Sequence, residues 1–93
     1  MLKKDRLQSI LVEIQKSNII KFEKLLSICE SFFGKYRVNG SHHIFKTPWQ
    51  GDPRINLQKG KDKNAKPYQV RQVLHAFRKL KELEEQKADK KNE

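Results

Sequence analysis

The chain has 93 residues, of which 35% are hydrophobic and 34% are charged. A chain of this length can hold one modest core and has no room for a second domain. The formal net charge of +10 makes a polyanion the first candidate partner. A single cysteine excludes an intramolecular disulfide framework. Because we find neither a signal-peptide pattern nor an apolar run near the ~20 residues of a membrane span, we expect a cytoplasmic protein without membrane association.

Two amphipathic helices are predicted in the first third of the chain. Apolar residues follow helical spacing over residues 7–14, which predicts an N-terminal helix within residues 1–17. Ser17 and Asn18 interrupt the pattern. A second apolar stripe covers residues 22–33 and contains Cys29, which we expect to be buried. Gly34 is placed to end this helix in a left-handed conformation.

After residue 35 the hydrophobic period changes from helical to two, which predicts β-strands. Residues 36–38 form the first strand, and Asn39-Gly40 is a strong hairpin signal because both turn residues tolerate positive φ. The returning strand is predicted over residues 42–47 and a third strand over residues 54–58. Three successive strands indicate an antiparallel sheet with one solvent-exposed face.

The last third of the chain predicts a loop and a helix. A lysine-rich loop covers residues 59–66, and Pro67 suits the first turn of a helix that continues to about residue 85. The predicted fold class is α+β, with the order α-β-β-β-α, helices on one face of a three-stranded antiparallel sheet, and an extra N-terminal helix. The predicted organisation is the extra helix at 1–17, the α-β-β-β-α domain at 18–81, and a charged helix end and tail at 82–93.

The positive charge is concentrated in the middle of the chain. Residues 35–81 contain twelve basic and two acidic residues, whereas residues 1–34 have a net charge of +2 and residues 82–93 of −2. Basic residues of the sheet, the loop and the last helix are therefore the candidate nucleic-acid contacts: Arg37, Lys46, Arg54, Lys59, Lys61, Lys63, Lys66 and Arg71. The lysine loop can be either a flexible phosphate clamp or a solvated turn.

Alternation along the strands assigns the side chains to two faces. Phe45 is the best core candidate of the middle strand, although a bulge near Gly40 could shift the phase. The residues expected to face the helices are Tyr36, Val38, His43, Phe45, Thr47, Ile55 and Leu57. Those expected on the open face are Arg37, Asn39, His42, Ile44, Lys46, Arg54, Asn56 and Gln58.

His42 on a basic, polar face has the chemistry to act on a phosphodiester. Cations position the phosphate, and an imidazole can move a proton near neutral pH. Composition and spacing alone favour an ordinary hydrogen-bonded strand histidine over a catalytic one. The same composition and spacing favour a role of the basic face in nucleic-acid binding over an ordinary solvated surface.

The other candidate residues have structural interpretations. His43 is expected to make a core or edge hydrogen bond, and His75 to lie on the surface. Three histidines and one cysteine in this arrangement do not make a zinc site, and we expect neither a metal nor a cofactor. Trp49 could stack on a base, but a tryptophan that caps the core is the more common arrangement.

The segment Gly40-Ser41-His42-His43-Ile44-Phe45, after an amphipathic helix and a short strand, resembles the G-S-H-x-x-F/Y signature of HicA-type toxins. These are the small ribonucleases of HicA–HicB toxin–antitoxin systems. Residues 65–74 resemble the beginning of the last helix in some members, so the resemblance covers about residues 21–80. The helix before Asn18, the tail after Leu80 and the lack of a proline after the third strand's apolar pair depart from the family pattern.

The resemblance implies a double-stranded-RNA-binding-domain-like fold and a metal-independent mRNA interferase. His42 would be the catalytic residue, and Gly40 and Ser41 would shape the turn that presents it. As our own mechanistic hypothesis, His42 acts as general base or acid at an RNA 2′-hydroxyl, and Lys46 or Arg54 steadies the charge that develops on the phosphate. A HicB-like antitoxin would cover the His42 face, with an oligomer of toxin and antitoxin as one possibility.

Several alternatives stay open at this point. A non-catalytic RNA-binding module could use the same basic face, whereas a structural interaction protein acting through the first helix explains the charge poorly. The first helix could pack on the domain, mediate dimerisation or contact the antitoxin.

Overall fold

Three helices and three short strands make up the chain in the computed structural model, which describes residues 3–16, 19–51 and 54–91. The elements in chain order are α1 (Lys3–Lys16), α2 (Phe22–Phe33), β1 (Arg37–Asn39), β2 (His42–Phe45), β3 (Ile55–Gln58) and α3 (Pro67–Lys91). The predicted α+β class and the predicted order of elements are confirmed. The expected interruption at Ser17 and Asn18 lies outside the described residues.

The strands form one antiparallel sheet in the order β1-β2-β3. Asn39 pairs with His42 across the first hairpin, and His42 pairs with Gln58 across the second interface. The turn therefore contains Gly40 and Ser41, so the prediction that Asn39 and Gly40 form its centre is wrong by one residue. Gly40 alone has positive φ, at 63°, which suits the first central position of a type II′ turn.

The predicted division of the sheet into two faces is confirmed by the register, which is continuous and contains no bulge. Phe45, Ile55 and Leu57 are buried under the helices. Val38 was expected to share this cover, yet it is 59% exposed. It lies opposite His43 on the outer strand β1, while the helices pack chiefly on β2 and β3.

The core combines apolar residues from all three helices with the covered face of the sheet. Gly34 ends α2 with φ at 83°, as predicted, and its N–H donates to the Glu30 carbonyl oxygen at 2.9 Å. The buried apolar residues supplied by the helices and the α1–α2 connection are Leu7, Leu11, Ile14, Ile20, Phe22, Leu25, Leu26, Cys29, Phe32, Val70, Val73, Ala76, Phe77 and Leu80.

Helix α1 packs on the rest of the domain, which was one of its three expected roles. Leu7, Leu11 and Ile14 are buried in the common core, and α1 lies against α3. The Arg6 guanidinium lies 5.0 Å from the centre of the Phe32 ring on α2. The predicted boundary after residue 17 therefore separates two segments of chain that share one core.

Helix α3 is longer than predicted and continues through the expected boundary at residues 81 and 82 to Lys91. No glycine or proline follows Pro67, and the segment is rich in strong helix formers. Two ion pairs support the helix, each between residues one turn apart: Lys81 with Glu85 at 4.0 Å and Lys87 with Glu84 at 3.9 Å. No helix within the described residues has the length and apolar character needed to cross a bilayer.

Two glutamines of α3 close the outer edge of β3. The Asn56 backbone N–H donates to Gln72 Oε1 at 2.7 Å, and Gln69 Nε2 donates to the Gln58 carbonyl oxygen at 2.8 Å. Gln69 is only 1% exposed, so this contact belongs to the interior. An edge strand normally presents unpaired backbone groups, and here a helix supplies their partners. The position of β3 is thus fixed from α3 as well as from β2.

Candidate active site on the open face of the sheet

His42 is the first residue of β2 and follows the Gly40-Ser41 turn directly. Gly40 needs a left-handed backbone conformation that other residues rarely adopt, although a Cβ there would meet no atom within 4 Å. The requirement for glycine is therefore conformational rather than steric. The turn delivers His42 to the exposed face of the sheet, as predicted, where its side chain is open to solvent.

The His42 ring is held by a residue of β3. His42 Nδ1 lies 3.0 Å from Asn56 Oδ1. Asn56 pairs with Ile44, two residues along β2 from His42, so the two side chains are diagonal neighbours on one face. Both residues were predicted on this face, but the hydrogen bond between them was not. Among the described residues Nε2 of the ring has no hydrogen-bond partner, so this nitrogen can meet a ligand.

The turn is tied to β3 by a second side-chain hydrogen bond. Gln58 Nε2 donates to Ser41 Oγ at 2.8 Å. Gln58 is also the cross-strand neighbour of His42, so it lies beside both residues after Gly40. Ser41 was predicted to shape the turn, and this hydrogen bond ties its side chain to β3.

The basic residues predicted on the open face lie at different distances from His42. Arg37 pairs with Ile44 and is therefore a diagonal neighbour of His42, within reach of a long side chain. Lys46 is four residues further along the chain, about 13 Å away along an extended strand. Arg54 precedes β3 at that same far end, and its Nε donates to the Gly51 carbonyl oxygen at 3.3 Å. Arg37 is thus better placed beside His42 than Lys46 or Arg54.

The lysine loop begins where β3 ends, at the same end of the sheet as the Gly40-Ser41 turn. Its second half is anchored rather than flexible. The Phe22 N–H donates to the Lys63 carbonyl oxygen at 2.9 Å, and the Ala65 N–H donates to that of Ile20 at 2.8 Å. The loop is therefore a fixed turn beside the beginning of α2.

The four lysines of this loop are all exposed, but their contacts differ. Lys59 is 3.6 Å from a Glu23 carboxylate oxygen, and Lys66 Nζ lies 6.0 Å from the centre of the Tyr68 ring. Neither Lys61 nor Lys63 has a carboxylate within salt-bridge distance among the described residues. Lys66 has no carboxylate partner there either, so Lys61, Lys63 and Lys66 are the loop's unpaired charges for a phosphate.

Arg71 belongs to an exposed basic row on α3, of which it is the only member predicted as a nucleic-acid contact. Arg71, His75 and Arg78 are spaced by four and three residues, which places them on one side of the helix. None of the three pairs with a carboxylate within the described residues. Helical spacing of exposed cations was the signal that could have added Arg78. His75 lies on the surface, as predicted.

The structural interpretations of His43 and Trp49 are confirmed. His43 faces the helices, with its Nδ1 3.2 Å from the Leu57 carbonyl oxygen and its ring against those of Phe22 and Tyr36. Trp49 packs on the core edge-to-face with Phe33, at 5.9 Å between centres.

Cys29 is fully buried, and its burial raises the pKa of the thiol to about 12. The sulfur therefore stays protonated at neutral pH and is a packing residue rather than a nucleophile.

Within residues 3–16, 19–51 and 54–91, no three His, Cys, Asp or Glu side chains are grouped so that they could hold a metal ion.

Comparison with known proteins gives no match to a family model, a curated protein or a solved structure. The resemblance to HicA-type toxins consequently stays a prediction made from the residues of this chain.

Proposed function

We propose that this protein is a HicA-type toxin: an mRNA interferase that cuts RNA without a metal and is neutralised by a HicB-like antitoxin. The observation that carries the proposal is the placement of His42. Its ring is exposed on an open polar sheet face, held at Nδ1 by Asn56, and has Arg37 as a diagonal neighbour. The proposed location is the cytoplasm, where messages are translated.

The element order supports the proposed fold family. Helix α2, the three antiparallel strands and α3 follow the α-β-β-β-α order of a double-stranded-RNA-binding-like domain, and α1 adds a further layer on α3. The Gly40-Ser41-His42 segment is a turn that ends on an exposed histidine. This arrangement supports the proposed roles, in which Gly40 and Ser41 shape the turn and His42 is the catalytic residue.

The proposed reaction is an intramolecular transesterification of RNA. The 2′-oxygen attacks the adjacent phosphorus, and its proton passes to His42 Nε2. The bond from phosphorus to the 5′-oxygen breaks, and the departing oxygen takes a proton from water. The hydroxide that remains takes the proton from His42, which regenerates the neutral ring. The products are a 2′,3′-cyclic phosphate and a 5′-hydroxyl end. The Arg37 guanidinium steadies the charge that develops on the phosphate oxygens.

The surrounding charges fit a long anionic substrate. Lys61 and Lys63 extend from the turn end of the sheet, and Lys46 and Arg54 from its far end, so the open face lies between two basic ends. Phosphate contacts of this kind position a strand without reading its sequence. The antitoxin is proposed to act by covering this same face.

The test is RNA cleavage by the purified full-length chain. His42→Ala should lower the cleavage rate by about 10²- to 10⁴-fold, the usual contribution of a general base. His75→Ala, which removes an exposed histidine from α3, should leave the rate unchanged. A substrate with a 2′-deoxy nucleotide at the cut site should resist cleavage, because the attacking oxygen is missing.

The outcomes separate the two candidate functions. Equal cleavage by the wild type and His42→Ala would contradict the assignment of His42. Salt-dependent RNA binding without cleavage by either protein would instead support the RNA-binding module, for which the exposed Arg71 and Arg78 on α3 and the lysine loop supply the charge.

A further inference from the structure

Two parallel chains of hydrogen bonds connect α3 to the Ser41-His42 pair, each passing through one residue of β3. In the first, Gln72 Oε1 accepts from the Asn56 backbone, and the Asn56 side chain meets His42 Nδ1. In the second, Gln69 donates to the Gln58 backbone, and the Gln58 side chain donates to Ser41. A helix on one side of the sheet edge thus holds the residues that support the exposed histidine.

We propose that Asn56 is a positioning residue that selects the proton-accepting form of His42, with Gln72 holding Asn56 in place. This inference rests on the proposed function and names the residue that prepares its base. A carbonyl oxygen can only accept a hydrogen bond, so Asn56 Oδ1 requires the hydrogen to be on Nδ1. The other nitrogen, Nε2, then carries the lone pair and faces the solvent.

The neutrality of Asn56 matters as much as its geometry. A carboxylate at this position would stabilise the protonated ring, whereas an amide fixes the ring without adding charge. Among the described residues, the cross-strand neighbours of His42 carry no negative charge. Arg37 shares its face from β1, Gln58 is its neighbour on β3, and Lys59 after β3 is paired with Glu23. From α3, Gln69 and Gln72 approach β3 as uncharged side chains.

Gln72 gives the arrangement its rigidity. Asn56 is exposed and lies on an edge strand, where a backbone can shift easily. The 2.7 Å hydrogen bond from its N–H to Gln72 fixes the backbone to a helix whose adjoining side is buried in the core. Sites held by such supporting contacts keep the geometry that proton transfer needs.

The direct test is the tautomer of His42, read from the ring nitrogen shifts of the ¹⁵N-histidine-labelled full chain at a pH where the ring is neutral. The wild type should carry its proton on Nδ1. Asn56→Ala should move the population toward Nε2–H, and Asn56→Asp should restore Nδ1–H. Finding the wild-type proton on Nε2 would overturn the proposal, because Asn56 would then donate its amino group to Nδ1.

The kinetic test compares Asn56 variants with a matched asparagine. Asn56→Ala should lower kcat by about 10- to 100-fold, a part of what the base supplies, with little change in KM for RNA. Asn56→Asp should recover kcat at alkaline pH and move the acid limb of the profile to higher pH, since a carboxylate favours the imidazolium. Asn39→Ala is the control, because Asn39 faces His42 from β1 and its side chain makes no hydrogen bond to the His42 ring among the described residues.

The failure of this inference can be distinguished from failure of the proposed function. Suppose that the wild type cleaves RNA and His42→Ala does not. If Asn56→Ala then keeps the kcat and pH profile of the wild type, the positioning role is rejected and the proposed function stands. If the wild type does not cleave RNA, the proposed function fails, and the tautomer measurement still decides whether Asn56 sets the form of the ring.

Discussion

His42 and His43 are adjacent in the chain, yet the two faces of the sheet give them different environments. The His43 ring lies among Phe22 and Tyr36 on the helix side and meets the Leu57 carbonyl oxygen. The His42 ring is exposed on the other side and meets the Asn56 side chain. Strand alternation, and not residue type, therefore decides which histidine is available for chemistry.

The same contrast holds along the whole sheet. Ile55 and Leu57 of β3 are fully buried, whereas Asn56 between them is exposed. One face supplies packing free energy and the other supplies hydrogen-bonding and charged groups. Substitutions on the two faces should therefore change different measurable quantities, stability on the covered face and RNA cleavage or binding on the open one.

The largest effect on stability is expected at Leu57. Replacing Leu57 by Ala should lower the free energy of unfolding by about 2–5 kcal/mol, because it leaves a cavity in the core. Asn39→Ala on the open face should change it by about 0.5 kcal/mol or less. Urea denaturation of both variants measures the difference. Similar losses for the two would show that the open face also supports the fold.

An intermediate effect is expected at His43. His43→Ala removes a buried-side hydrogen bond worth about 0.5–1.5 kcal/mol and ring contacts of similar size, so we expect a loss of about 1–2 kcal/mol. His42→Ala should leave the free energy of unfolding within about 0.5 kcal/mol of the wild type. For RNA cleavage the order is reversed, because folded His43→Ala should keep most of its rate. A folded His43→Ala protein without activity would contradict the division between the faces.

The smallest effect is expected in the lysine loop. Replacing Lys61 and Lys63 by Gln should reduce the slope of log affinity for single-stranded RNA against log salt by about 0.7 for each phosphate that the variant no longer neutralises. Stability should not change, since both side chains are exposed and have no carboxylate partner among the described residues. Lys24→Gln is the matched control, because Lys24 lies on α2 and pairs with Glu13 at 3.1 Å. An equal change of slope in the control would reject the loop as a phosphate-binding element.

Local patterns were enough to predict most of this fold. The change from helical to alternating hydrophobicity marked the sheet, and Gly34 marked the end of α2, because both signals depend on a few consecutive residues. The face of His42 was also predictable, since alternation from Phe45 assigns it without tertiary information. The turn was displaced by one residue because Asn39 continues the strand pairing while Gly40 alone takes positive φ.

Features that depend on contacts between distant segments were not predictable. The exposure of Val38 depends on how far the helices extend over the sheet. The apolar side of α1 is buried against α3, which lies at the other end of the chain. The bond between His42 and Asn56 depends on the register of β2 with β3. Gln69 and Gln72 hold the backbone of β3, and the only sequence signal for these two contacts was a pair of glutamines three residues apart on one helix.

The contact between the first and last helices has a consequence for synthesis on the ribosome. Gln8 of α1 accepts a hydrogen bond from Lys81 of α3, so the two ends of the core meet across nearly the whole chain. Asn56 likewise depends on Gln72, which is translated later. A nascent chain can form its early helix and strands first, but it lacks the partner that fixes Asn56 until α3 has emerged. The candidate active site is therefore among the last parts of the molecule to be completed, and an unfinished chain should be inactive while it is still being made.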